Sequence, residues 1–203
     1  MRHAMTADLA QTLADIRACR LCADHLPRGP RPIIRASATA RLLIISQAPG
    51  TRVHETGLSF NDRSGDRLRE WLGIDRTTFY DESKVAIMGM GFCYPGVDRH
   101  GGDLPPRPEC APRWHEQVLP LLPAVRLTLL IGLHAHRVYL PGGGRQSVTE
   151  RVAAWREQPA DRLVMPHPSW RNTGWLKRNP WFAEDLLPVL RARVQAVLGD
   201  DNP

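Results

Sequence analysis

Four short aliphatic runs constrain this chain more than anything else in it: residues 41–46, 84–90, 127–132 and 162–165. Each is nearly continuous in apolar residues rather than alternating, the pattern of strands buried on both faces. Each is separated from the next by a segment of helical character, so the strands are expected to lie parallel. Helices are expected over residues 6–19, where Leu9, Leu13 and Ile16 recur at helical spacing, and over 64–72, with Ser64 near the N-cap and Gly73 near the end. Further helices are expected over 114–122, broken by Pro120 or Pro123, from the third run to about residue 140, over 149–158 and over 181–198. The expected fold is α/β, a three-layer α/β/α sandwich with a small, mainly parallel four-stranded sheet. With 203 residues and 42% hydrophobic residues, one domain over 1–203 is expected to bury its own core.

In such a fold a ligand sits beyond the carboxyl ends of the strands. The segments there are SQAPG, GFCYPG, IGLHA and PHPSWRN. Residues 91–110 are rich in proline and glycine, and a loop of that length inside a compact domain is usually functional. No GxGxxG or Walker A pattern occurs. The run Gly142-Gly143-Gly144 follows a helix rather than a strand and reads as a flexible turn.

Composition bounds the partners. The net charge of +6 and pI of about 9.7 permit a polyanionic partner without requiring one. No stretch reaches the roughly 20 apolar residues of a membrane span. The first residues, MRHAMTADLAQTLADIRACRLC, contain acids and no apolar core of a signal peptide, so a cytoplasmic location is expected. In a reducing compartment the four cysteines, Cys19, Cys22, Cys93 and Cys110, suggest a metal site or free thiols rather than disulfides.

Two strand tips stand out together: Ser46-Gln47-Ala48-Pro49-Gly50 and His167-Pro168-Ser169. The first resembles motif A of the uracil-DNA glycosylase superfamily and the second its His-Pro-Ser motif. Between them, Thr56-Gly57-Leu58-Ser59-Phe60 followed by Ser64-Gly65 resembles the uracil-pocket loop of the iron–sulfur branch, family 4. The resemblance runs from about Cys19 to the last helix. It implies a monofunctional, base-flipping enzyme that hydrolyses the N-glycosidic bond of uracil in DNA and leaves an abasic site. The motifs offer no obvious Schiff-base lysine, so strand cleavage is not expected. The alternative is a non-catalytic or covalent binder of uracil or abasic DNA on the same scaffold. The expected partner is DNA, not a membrane, and the expected state is a monomer.

The chemistry accounts for the residue types. The base departs as an anion from an oxocarbenium-like sugar, so a donor to the base and a group that places water are what help. By resemblance, His167 donates to the uracil carbonyl and Phe60 stacks on the flipped base. Ala48 and Pro49 shape the turn under the base, and Gly89 brings backbone to it. Gln47 stands where the iron–sulfur branch usually carries a glutamate. An amide orients water or base but is no general base. Asp62 could supply the missing carboxylate; His54 and Glu55 are weaker candidates. The second strand lacks the asparagine that usually reads the uracil edge, so uracil is expected first, with hypoxanthine or xanthine as alternatives.

The cysteines resemble the four-cysteine [4Fe–4S] arrangement of that branch, although thiolates suit zinc as well. The basic, aromatic segment after His167 resembles the loop that wedges into the duplex, with Trp170 or Arg171 as the wedge. Ser64, Ser169, Asn172, Lys177 and Arg178 are the accompanying candidates for contacts to DNA. Core packing is the expected role of Trp175 and Trp181.

Overall fold

The structure, a computed structural model, describes residues 2–141 and 146–199. Four strands, β1 (Leu42–Ser46), β2 (Val85–Gly89), β3 (Leu127–Ile131) and β4 (Arg162–Met165), form one parallel sheet in the order β2-β1-β3-β4. The register pairs Ser46 with Gly89, Ile44 with both Ile87 and Leu129, and Ile131 with Met165. Every residue of β1 and β2 is buried. Successive side chains point to opposite faces of a strand, so both faces of the sheet are covered, and the fold is the expected α/β type.

The helices are α1 (Arg2–Ala18), α2 (Thr51–Thr56), α3 (Arg63–Leu72), α4 (Arg76–Phe79), α5 (Cys110–Val118), α6 (Leu133–Tyr139), α7 (Val148–Ala153), α8 (Thr173–Arg178) and α9 (Leu187–Gly199). In α1 the side chains of Leu9, Leu13 and Ile16 enter the core as their spacing predicts. The α9 helix packs on α3, β1 and β3; α6 packs on β1 and β3; α7 packs on β4. Trp71 and Phe182 meet edge to face, their ring centroids 4.9 Å apart, and join α3 to the turn before α9. Trp175 and Trp181 make similar contacts with Phe182 and pack against the core, as expected.

Several boundaries differ from expectation, each for a local reason. The N-cap of α3 is Asp62, not Ser64: its Oδ1 accepts from the Gly65 amide at 2.9 Å. Gly73 closes that helix in the left-handed region, φ 67°, as expected. The helix expected over 114–122 begins at Cys110 and stops at Val118, where a 3-10 turn, Leu119–Leu121, accommodates Pro120. The expected closing helix divides into a π-turn, Phe182–Leu186, and α9. Pro188 has no N–H to donate one turn back, and the wider turn absorbs the defect. Helices α2, α4 and α8 are too short for apolar periodicity to reveal. The glycine run at 142–144 lies outside the described residues. No helix among the described residues is long and apolar enough to cross a membrane.

Residues 91–110 are irregular but ordered around an antiparallel bridge between Val97 and Asp103. Asp98 Oδ1 accepts from the amides of His100 and Gly102, both at 2.8 Å, and closes the tip.

Candidate functional site

The strand order reverses direction at β1, and the tips of β1, β2 and β4 open there onto a cavity of about 530 Å³. Beyond the sheet the two central tips stay joined: Met90 N donates to Ser46 O at 2.9 Å and Gly91 N to Gln47 O at 3.0 Å. This approach demands glycine at 89, because a Cβ there would stand 2.5 Å from Gly91 O and 3.2 Å from Gln47 O. Gln47, Ala48, Pro49 and Gly89 all line the cavity. The Gln47 side-chain amide has no protein partner among the described residues and is free to meet a ligand.

His167 lies just past β4, half-buried, with Gly132 at the tip of β3 close behind it: a Cβ on Gly132 would stand 3.5 Å from His167 Cβ. The Ser169 amide donates to His167 Nδ1 at 3.2 Å. With Nδ1 accepting, the neutral ring carries its proton on Nε2. Burial drives the imidazole pKa down to about 4, and the Asp62 carboxylate opposes that shift only in part. The ring is therefore a neutral donor at physiological pH, and it borders the cavity. Two side chains hold this turn: Asn172 Nδ2 donates to His167 O at 2.7 Å, and Arg67 Nη1 donates to Ser169 O at 2.9 Å.

The cavity is also lined by Phe60, a non-glycine residue with φ of 54°. Its carbonyl accepts from the Tyr80 hydroxyl at 3.1 Å and from Arg69 Nη1 at 3.4 Å, which offsets the cost of that backbone. Gly65 fits against it because a Cβ would come within 1.7 Å of Phe60 O.

A profile described as Uracil DNA glycosylase superfamily matches residues 35–191. The chain belongs to this superfamily. Three of the superfamily-like segments read in the sequence, SQAPG, the Phe60 loop and His-Pro-Ser, thus converge on one cavity in a member of the superfamily.

Other expected site residues divide between the cavity and the surface. Asp62, Ser64, Ser169, Arg171 and Asn172 line the cavity. Asp62 spends one oxygen on its helix cap. Arg171 Nη2 donates to Gly101 O at 2.7 Å and so ties the His-Pro-Ser segment to the 91–110 loop rather than projecting freely. Trp170 is 64% exposed, and Lys177 and Arg178 are exposed in the last turn of α8; these three do not line the cavity. His54 and Glu55 are also outside it. His54 is buried against Tyr94, with ring centroids 5.6 Å apart, and Glu55 pairs with Arg28 at 2.7 Å.

The close pair Cys19 and Cys22 and the distant Cys93 and Cys110 line one second cavity together with apolar side chains, Phe92 and Trp114 among them. All four are free. Burial raises the thiol pKa of Cys93 to about 11 and of Cys110 to about 12. Cys22 is raised as well, first by burial and then by Glu109. The Phe92 amide donates to Cys110 Sγ at 3.4 Å, and Arg107, paired with Glu109 at 2.5 Å, borders the same cavity. Such donors suit a site that carries thiolate charge. Among the described residues no three metal-ligating side chains are gathered closely enough to hold a single ion.

Sequence reading missed the acidic residues contributed by the 91–110 loop: Asp98 and Asp103 line the cavity beside His100. Composition marked this loop as functional, but no motif marked these residues. It also missed Arg67, and it missed His115, whose buried ring bonds Gly89 O at 2.9 Å and so anchors the tip of β2.

Proposed function

We propose that this chain is a monofunctional DNA glycosylase that excises uracil from DNA and leaves an abasic site. The observation that carries the reading is the state of His167: neutral, with Nδ1 accepting so that Nε2 carries the proton, and lining the same cavity as Phe60. A base inserted between them would stack on the ring and accept from the imidazole at a carbonyl oxygen. The bond from base to C1′ breaks as negative charge moves onto that oxygen, and a donor already in place stabilises it without reorganisation. Uracil is the first substrate, with hypoxanthine and xanthine as the alternatives. The protein acts as a single cytoplasmic domain and a monomer.

The iron–sulfur branch is the closest fit within the superfamily, and the second cavity would hold the cluster. Cys19, Cys22, Cys93 and Cys110 supply the thiolate set, and the Phe92 amide and Arg107 supply hydrogen bonds and compensating charge. The cluster's contribution would be to fix the ends of the 91–110 loop.

Gln47 favours a second reading, a binder of uracil or abasic DNA without turnover, and His100 on the cavity wall leaves room for covalent capture of the sugar. Single-turnover assays separate these readings, using a labelled strand with one uracil, alone and opposite A or G. Alkali-dependent cleavage with no retarded protein band is the expected result. Replacing His167 with Asn should abolish it and leave affinity for abasic DNA intact. A retarded band, or tight binding with only background release of uracil, would instead establish the second reading.

A further inference from the structure

A glycosylase with an amide at 47 has no general base at that position. Three carboxylates line the cavity: Asp62, Asp98 and Asp103. Asp98 is committed to its own loop through the amides of His100 and Gly102. Asp62 gives Oδ1 to the Gly65 amide at the head of α3. Asp103 is different. Its carboxylate has no hydrogen bond among the described residues, and both oxygens lie 4.0 Å from where a Cβ on Gly50 would stand. It therefore lies over the motif that carries Gln47, on the rim of the cavity, where solvent reaches it.

Resting on the glycosylase reading, we propose that Asp103 holds the attacking water and takes its proton. The bond between C1′ and the base nitrogen breaks, and its electron pair leaves with the base, whose carbonyl oxygen accepts from His167 Nε2–H. The water oxygen bonds C1′. Its proton passes to the Asp103 carboxylate and then to the departed base, which is released neutral. The Gln47 amide orients the same water and needs no basicity for that task.

The surroundings suit a base. Partial desolvation at the cavity rim raises the Asp103 carboxyl from its ordinary value; Arg171 opposes this, and Asp62 and Asp98 add to it. His100 and His167 share the cavity. A carboxylate with a raised pKa accepts a proton more readily than an ordinary one.

The test is single-turnover excision by Asp103→Asn and wild type on uracil, hypoxanthine and xanthine substrates, from pH 4.5 to 9, with affinity for abasic DNA measured in parallel. The expected result is a loss of about 100-fold in rate. Abasic-DNA affinity should not weaken, because a negative charge has been removed beside a polyanion. The fall in wild-type rate on the acid side should vanish in the variant. If wild type excises and the variant stays within about threefold with the same pH profile, Asp103 is not the base and the glycosylase reading stands. If wild type excises none of the three bases, the glycosylase reading falls and this inference falls with it.

Discussion

The amide of Ser169 donates to Nδ1 of His167 at 3.2 Å, so the chain two residues on decides which side of the imidazole carries the proton. The serine of His-Pro-Ser acts here through its backbone, and its hydroxyl is occupied in accepting from the Arg171 amide at 3.3 Å. A nitrogen-15 titration should show His167 as the neutral Nε2–H tautomer at pH 6, protonating only near pH 4. A normal imidazole pKa would remove the case for a neutral donor.

Acid lability follows from the same burial. His136, beneath the tips of β3 and β4, donates from Nε2 toward Leu130 O and Met165 O, and its pKa also falls to about 4, again chiefly through burial. Both rings stay neutral in the fold, whereas an unfolded histidine protonates below about 6.5. Between those values the unfolded chain binds more protons, so stability falls as the pH drops from 6.5 toward 4, by up to roughly 3 kcal/mol per ring at the bottom of the window. Urea midpoints measured across that range should fall steadily, and His136→Gln should flatten part of the slope.

Gly65→Ala should damage the base-stacking wall. The added methyl would meet Phe60 O at 1.7 Å, and that carbonyl is already held by Tyr80 and Arg69. Relief requires moving Phe60 out of its left-handed conformation or shifting the head of α3. The expected cost is about 2–3 kcal/mol, visible as a lower Tm, with weaker binding of uracil-containing DNA.

Trp170→Ala should do the reverse, leaving stability within about 0.5 kcal/mol because the side chain is exposed. If Trp170 fills the gap left by a flipped nucleotide, duplex excision at subsaturating protein should fall about tenfold or more, and single-strand excision much less. Equal losses on both substrates would assign the side chain another role.

The cysteine cavity gives a prediction about composition. Protein purified without air should carry iron and sulfide in [4Fe–4S] proportion, and each of Cys19→Ser, Cys22→Ser, Cys93→Ser and Cys110→Ser should reduce it and lower the Tm. Excision should fall in step, although none of the four lines the substrate cavity, because Cys93 and Cys110 bracket the loop that brings Asp98, His100 and Asp103 to its wall. Stoichiometric zinc would replace the cluster reading with a single-ion site.

Much of the site was legible because its parts are local. SQAPG and His-Pro-Ser each follow an aliphatic strand, and each carries side chains whose chemistry is readable from a few neighbouring residues. That Asp62 also caps α3 was not legible, since the position of a helix start depends on which side chain reaches the amide three residues on. Asp103 and Arg67 carried no signal. One sits in a loop whose path is set by a bridge to Val97, and the other reaches a segment a hundred residues away.

The sequence by itself determined the four buried strands, their parallel character and the motifs at their tips, because hydrophobic period and turn chemistry act over a few residues. Only the tertiary structure decided which tips share a cavity, which carboxylate oxygens accept from the backbone, and that Cys93 and Cys110 meet the Cys19–Cys22 pair at one place. Those outcomes depend on strand order and on how an irregular loop packs, and neither is encoded in any short window of the chain.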